Sequence, residues 1–135
     1  MGSAITLKGN AGGKVTVTLV KVVDPVKSTD GFSAPTAGNR YVAAQFIVQN
    51  VGTTAYDDSP ANGAKAIDAA GQQFSADITL DKSTAGPGLP AQTKLPPGGK
   101  ALGFLVFQVP TASKVAKVQF SQNSGFGETG EWTVA

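Results

Sequence analysis

The aspartates Asp24, Asp30, Asp57, Asp58, Asp77 and Asp81 sit in or beside stretches that read as loops, and chemistry would start with them. Calcium takes several oxygen ligands, and separate loops can supply them. No Asp-x-Asp-x-Asp-Gly spacing occurs, so these carboxylates are expected to be solvated turn residues. A glycosidase-type carboxylate pair has little to draw on, since the glutamates are Glu128 and Glu131 alone, both near the C-terminal turn. Histidine and cysteine are absent from the 135 residues. That removes the commonest general base, the commonest transition-metal ligand, any disulfide and any thiol nucleophile. Ser/Lys arrangements survive the lack of histidine. Here, however, Lys82-Ser83 and Ser113-Lys114 are adjacent pairs whose side chains would point to opposite faces of a strand. The expectation is a protein that is not an enzyme, with no catalytic, cofactor-binding or metal-binding residues.

Gly125-Phe126-Gly127-Glu128-Thr129-Gly130 matches the glycine spacing of dinucleotide-binding loops letter for letter. That motif works only where a helix opens at the third glycine and its N-terminus holds a pyrophosphate. Five residues remain after Gly130, and Trp132-Thr133-Val134 favours a strand, so a hairpin loop is expected instead. Trp132, Tyr41, Tyr56 and Phe126 are the aromatics that could stack on a sugar. The competing reading makes Trp132 a core plug with its indole N–H bonded to backbone. Net charge is +2, and the lysines and Arg40 are scattered, with Lys114 and Lys117 the nearest approach to a basic cluster. Nucleic-acid surfaces gather their Lys and Arg, so no nucleic-acid partner is expected.

Whatever these residues do, strands must position them. From Tyr41 to Gln49, Val42, Ala44, Phe46 and Val48 alternate with the more polar set Tyr41, Ala43, Gln45, Ile47 and Gln49, which predicts a central strand with one buried face. Ile5-Thr6-Leu7 is a short piece before it. Lys14 to Asp24 begins with Val15, Val17 and Leu19 on one face, then shifts to Val20, Val22 and Val23, which places a bulge near Lys21. Asp24-Pro25 is expected to close that strand. Lys27 to Asn39, Thr53 to Gly63 and Asp81 to Gly99 read as loops, the last because Pro87, Pro90, Pro96 and Pro97 exclude a paired central strand. Ala64 to Asp68 and Gln72 to Ala76 form a hairpin about Ala69-Ala70-Gly71, which Ile78 and Leu80 could extend. Lys100 to Val109 is apolar on both faces and is expected in mid-sheet, ended by Pro110. Lys114 to Ser121 and Glu131 to Val134 complete the set. About seven to eight short strands, turn signals between them and no helical period predict an all-β, antiparallel two-sheet sandwich, with a closed barrel as the alternative.

Two stretches carry a resemblance. Gly38-Asn39-Arg40-Tyr41-Val42 runs into Phe46-Ile47-Val48-Gln49-Asn50-Val51-Gly52. Leu95-Pro96-Pro97-Gly98-Gly99-Lys100 runs into Gly103-Phe104-Leu105-Val106-Phe107-Gln108-Val109-Pro110. Together they resemble a family of immunoglobulin-like domains of unknown function in bacterial secreted and lipid-anchored proteins. That family shares its sandwich with a mycobacterial immunoprotective extracellular antigen. Asp68-Ala69-Ala70-Gly71-Gln72-Gln73-Phe74 would match the hairpin between its motifs, and the likeness runs from about Val15 to Phe120. It implies an immunoglobulin-like fold and export, and it carries over no catalytic or binding residues.

At 135 residues a single domain is expected, assigned to residues 4–135, with Met1-Gly2-Ser3 read as a vector-derived start and any export signal removed before it. Charged residues make up 15% of the chain, so its surface is bland and hydroxyl-rich. The longest apolar run, Ala101 to Phe107, is far short of the roughly 20 residues a spanning helix needs. The expected location is extracellular or in the cell envelope. The expected role is a non-enzymatic, monomeric domain that binds a protein or envelope partner through the loops Lys27 to Asn39 and Asp81 to Gly99. The alternatives are a carbohydrate-binding module or a structural spacer of a larger surface protein.

Overall fold

The computed structural model describes residues 2–9, 12–77, 82–122 and 125–134. Their β-branched and aromatic alternation produces β1 (Ala4–Lys8), β2 (Lys14–Val26), β3 (Asn39–Asn50), β4 (Tyr56–Asp58), the helical turn α1 (Pro60–Gly63), β5 (Ala64–Asp68), β6 (Gln73–Ser75), β7 (Lys82–Ser83), β8 (Gly86–Pro87), β9 (Thr93–Leu95), β10 (Lys100–Pro110), β11 (Val115–Ser121) and β12 (Thr129–Thr133). Two four-stranded antiparallel sheets, β1-β2-β3-β10 and β12-β11-β5-β6, make the sandwich, while β4-β9 and β7-β8 form two small ribbons.

The central strand is where the alternation placed it. Val42, Ala44, Phe46 and Val48 of β3 are buried with Val15, Val17 and Leu19 of β2 and Leu105, Phe107 and Val109 of β10. The facing sheet supplies Val115, Val118, Phe120 and Trp132 to the same core. Val115 and Val118 both point inward although they are three positions apart, because a register shift between Val115 and Lys117 absorbs the odd residue. At the centre the Phe46 ring lies 5.3 Å from Phe120 and 5.9 Å from Trp132, in tilted and edge-on contact.

β2 carries its bulge at the expected point. Leu19 pairs with Phe46 and Lys21 with Gln45, so Val20 is the extra residue. The strand does not stop at Asp24-Pro25, however. A second irregularity between Val23 and Val26 lets it run past the proline to pair Val26 with Tyr41.

Three further expectations are corrected. β10 is not in mid-sheet: it ends its sheet order. Its outer face is covered at Phe104 and Val106, which form a second apolar cluster with Val26, Tyr41 and Ala43 on which Val23 and Ala85 pack, whereas Leu102 on the same face is left exposed. This also makes the outer face of β3 apolar at Tyr41 and Ala43. The outer edge of β10 is satisfied by short bridges, Ala76 to Phe107 and Gly88 to Phe104, with the Asp77 N–H donating to the Val106 carbonyl and Leu89 N–H to Phe104. The stretch read as a loop from Thr53 to Gly63 contains β4 and α1, and the one from Asp81 to Gly99 contains β7, β8 and β9. Pro87 itself sits in the two-residue β8, at an edge where a missing N–H is tolerated. The hairpin of β5 and β6 turns at Ala69-Ala70-Gly71 as expected, with the Asp68 carboxylate accepting from the Ala70 and Gln72 N–H groups. Ile78, Leu80 and Asp81 lie outside the described residues.

Candidate functional site

The two long loops proposed for binding meet at one end of the sandwich, where β2 leads into β3. Lys27 N–H donates to the Thr84 hydroxyl at 3.1 Å, Thr84 N–H returns to the Lys27 carbonyl at 2.8 Å, and Ser28 bridges Ser83. A hollow of about 200 Å3 lies between them, lined by Thr29, Ser83, Gly86 and Pro87. Only residues 27–38 and 82–87 take part. The rest of the second stretch follows β10 to the opposite end, where Leu95 pairs with Tyr56.

Asp30 organises the first loop. Its Oδ1 accepts from the Ser28 hydroxyl at 2.6 Å, Phe32 N–H at 2.8 Å and Ser33 N–H at 2.7 Å, and Oδ2 accepts from the Ser33 hydroxyl at 2.6 Å. The hydroxyls of Ser28 and Ser33, then the two N–H groups, hold its carboxyl well below the usual carboxylate range. The loop is fastened at its far end by Thr36 N–H, which donates to Gln108 Oε1 at 2.9 Å. Just behind it, the Arg40 guanidinium grips Asp24 in a two-pronged pair at 2.7 and 3.0 Å and donates to the Pro110 carbonyl, linking β2, β3 and β10. This ordered loop holds Phe32 94% exposed.

At the other end, the turn from β1 to β2, the loop after β3, β4 and the end of β11 surround a polar cleft of about 140 Å3. Asn50 shapes its floor: its side chain donates to the Thr54 and Leu95 carbonyls and accepts from Gly52 N–H. Gln122 donates to the Leu7 carbonyl at 2.7 Å and so ties the two sheets together. Tyr56 and Asp58 lie on the buried side of β4, with Asp57 facing out. Gln92 holds Asp57, and Ser59 N–H donates to Asp58 at 2.8 Å.

The remaining sequence candidates disperse. Trp132 is 4% exposed and donates its indole N–H to the Ser3 carbonyl at 2.8 Å, which makes it a core plug. Tyr41 and Tyr56 are 3% and 6% exposed, so the stacking platform for a sugar is not assembled from these rings; of the four aromatics named, Phe126 alone reaches solvent. The glycine-rich stretch 125–130 is the hairpin between β11 and β12, with Gly125 and Gly127 N–H bonded to the Gln122 carbonyl. Lys117 pairs with Glu131 across that hairpin at 3.2 Å. Ser83 lies in β7, where its buried hydroxyl accepts from Ala85 N–H, while Ser113 lies in the turn before β11. Among the described residues no three Asp or Glu side chains converge as a metal site, and no helix is long and apolar enough to cross a membrane.

The cleft about Tyr56 was not found from sequence. Its signal was the Tyr56/Asp58 alternation, which has meaning only once β9, far along the chain, pairs with β4.

A family profile described as Domain of unknown function (DUF4352) matches residues 10–131. No curated protein sequence matches the chain. Among solved structures, MPT63, a secreted protein from Mycobacterium tuberculosis, is similar at 20% identity and a TM-score of 0.63, over 98% of this chain and 93% of that one. YcdA from Bacillus subtilis, described as a candidate lipoprotein, is similar at 13% identity and a TM-score of 0.65, over 98% of this chain but 39% of that one. A β-sandwich protein from Clostridium difficile is similar at 12% identity and a TM-score of 0.50, over 100% of this chain and 91% of that one. At such identities the likeness is one of fold, and it bears out the immunoglobulin-like sandwich read from strand pattern and motifs.

Proposed function

Because the chain belongs to the DUF4352 family of domains of unknown function, we propose that it is a non-enzymatic domain of the cell exterior or envelope. It binds a protein or envelope partner through the end formed by residues 27–38 and 82–87. One observation carries this reading: Phe32 stands 94% exposed on a loop that Asp30 and Gln108 hold in shape. A floppy loop would fold a phenylalanine back onto the surface. An ordered one that keeps its ring in water presents a ready anchor, and aromatic anchors on rigid loops dominate binding energy. The location rests on fold likeness to a secreted protein and a candidate lipoprotein. The absence of histidine and cysteine from the chain supports a role without catalysis.

The test is capture from envelope extracts with the wild type, Phe32→Ser and Phe126→Ser. Phe126 is equally exposed but lies at the opposite end, so it serves as the control. The expected result is a partner retained by wild type and Phe126→Ser and lost by Phe32→Ser, with all three melting alike. Retention by a folded Phe32→Ser protein would refute the assignment, and no capture by any of them would favour a spacer. Deleting residues 81–99 is not a clean alternative, because Ala85 and Leu89 cover apolar surface.

A further inference from the structure

Part of the outer face of the β1-β2-β3-β10 sheet is left open. Strand pairing sets its outward side chains in rows. Leu102 pairs with Ile47, Ile47 with Thr18 and Thr18 with Ala4, which gives one row. Lys100, Gln49, Thr16 and Thr6 give the next. Lys14 and Lys8 pair beyond that row, and Lys21 lies on the other side, its ammonium 5.8 Å from the centre of the Phe104 ring. Leu102 is 59% exposed and Val20, the bulge residue beside Lys21, is 37% exposed, while Ile47 is half-buried. An apolar centre is thus ringed by Lys8, Lys14, Lys21 and Lys100, all exposed, which come from three strands and gather only in the fold. No residue of these rows is acidic. Three carboxylates border them: Glu128, which accepts from Lys8 N–H, Asp24 in its pair with Arg40, and Asp57, which lines the end cleft with Lys14. The opposite sheet differs. There Lys65 and Lys117 share the outer face with Glu131, which takes Lys117 in an ion pair at 3.2 Å.

We propose that this face docks on a lipid bilayer bearing anionic headgroups, with Leu102, Ile47 and Val20 at the interface and the four lysines among the phosphates. Charge selects the partner. A second copy would set lysine against lysine, whereas an anionic surface meets all four at once. Residue type narrows it further. The lysine ammonium is a point charge on a flexible stem and suits a diffuse anionic layer. The rigid fork of arginine suits directional pairing with an acidic protein, and Arg40, the one arginine of the chain, is committed to Asp24. Shape agrees. With about 4.8 Å between strands and about 6.8 Å between rows, the four rows cover about 14 by 20 Å of sheet, which lies along headgroups rather than gripping a side chain. Lysine stems cover apolar surface while their charged ends stay in water, as Lys21 does over Phe104.

The test is co-sedimentation of the full chain with vesicles of one part phosphatidylglycerol to two parts phosphatidylcholine, against phosphatidylcholine alone. Binding is expected on the anionic vesicles at about 0.1 M salt, with release at about 0.5 M, and none on the neutral ones. Lys14→Gln with Lys100→Gln should weaken binding about 25-fold, about fivefold for each lysine. Lys65→Gln with Lys117→Gln removes the same charge from the opposite sheet, set back by the roughly 10 Å between sheets, and should weaken it less than about threefold. Leu102→Thr keeps a strand-forming residue and should weaken binding about tenfold through the lost apolar contact. All these variants should melt like wild type, since none of the replaced side chains is buried. No binding to anionic vesicles, equal binding to neutral ones, equal loss in the two lysine doubles, or full binding by Leu102→Thr would each overturn the proposal. So would a dimer that Leu102→Thr dissociates, which would make the face an interface between copies, or capture of polyglutamate at least as tight as of the vesicles, which would assign it to an acidic protein. Phe32→Ser is expected to bind vesicles as wild type does, so failure at the loop end and failure here are told apart; vesicle binding lost in that variant would move the contact to the loop.

Discussion

Asp30 acts on its loop through four short hydrogen bonds while fully exposed, so pH reaches it directly. Its folded-state pKa lies below the unfolded value of about 4. Its contribution is therefore fully present above that value and is lost only as pH falls through the lower, folded one. In an acid titration followed by amide shifts, Phe32 and Ser33 should stay in place through the ordinary carboxylate range and move only in stronger acid; an inflection near pH 4 would show the carboxylate to be free. In the core, Phe46 touches both Phe120 and Trp132 and is fully buried. Phe46→Ala should lower stability by about 3–5 kcal/mol in denaturant unfolding. Phe104→Ala should fall toward the low end of that range, since its cluster is small and the segment carrying Ala85 can settle into the space. Both phenylalanines were legible as buried from strand alternation. That they belong to different clusters, on opposite faces of one sheet, was not.

Among the elements, β10 shows what a strand's own residues leave undecided. Apolar groups on both faces say that it must be covered twice, and mid-sheet placement is the simplest way to achieve this. The chain instead covers the second face at Phe104 and Val106 with its own residues 82–89, and glycine makes the approach possible. A Cβ on Gly103 would lie 2.6 Å from the Leu89 nitrogen, so only glycine lets that backbone reach β10. Gly103→Ala is expected to preserve the two main sheets while speeding hydrogen exchange at Leu89 and Asp77, the amides that close the β10 edge. Exchange unchanged at Leu89 would mean that the contact is not held by the glycine. Gly63 is a stricter case. A Cβ there would fall 2.1 Å from the Ser121 carbonyl, so Gly63→Ala should disrupt the packing of α1 on β11 and lower the melt. The short strands β4, β7, β8 and β9 escaped the sequence reading because two or three residues carry no period, and each exists only through a partner.

At the scale of the whole molecule, the surface area of 6853 Å2 is close to the roughly 6,600 Å2 expected of a well-packed chain of this mass. The edges of the two sheets meet on both sides, through Trp132 and Ser3 on one and through Ala76 and Phe107 on the other. The main core between the two sheets, with Trp132 inside it, should unfold as one unit. Tryptophan emission is accordingly expected to be blue-shifted and protected from quencher, and to shift in a single transition coincident with loss of β-sheet signal. An emission change preceding that loss would show the β12 edge opening on its own. The sequence by itself determined the strand alternation, a bulge near Lys21, the β5–β6 hairpin, the family motifs and the chemistry withheld by having neither histidine nor cysteine. These are properties of residue type and near-neighbour spacing, which a linear chain displays in full. Only the tertiary structure decided which loops share an end, where Phe32 stands, and that Tyr56 and Asp58 border one cleft. Those depend on pairings between distant strands, and no local period records a contact whose partner lies elsewhere in the chain.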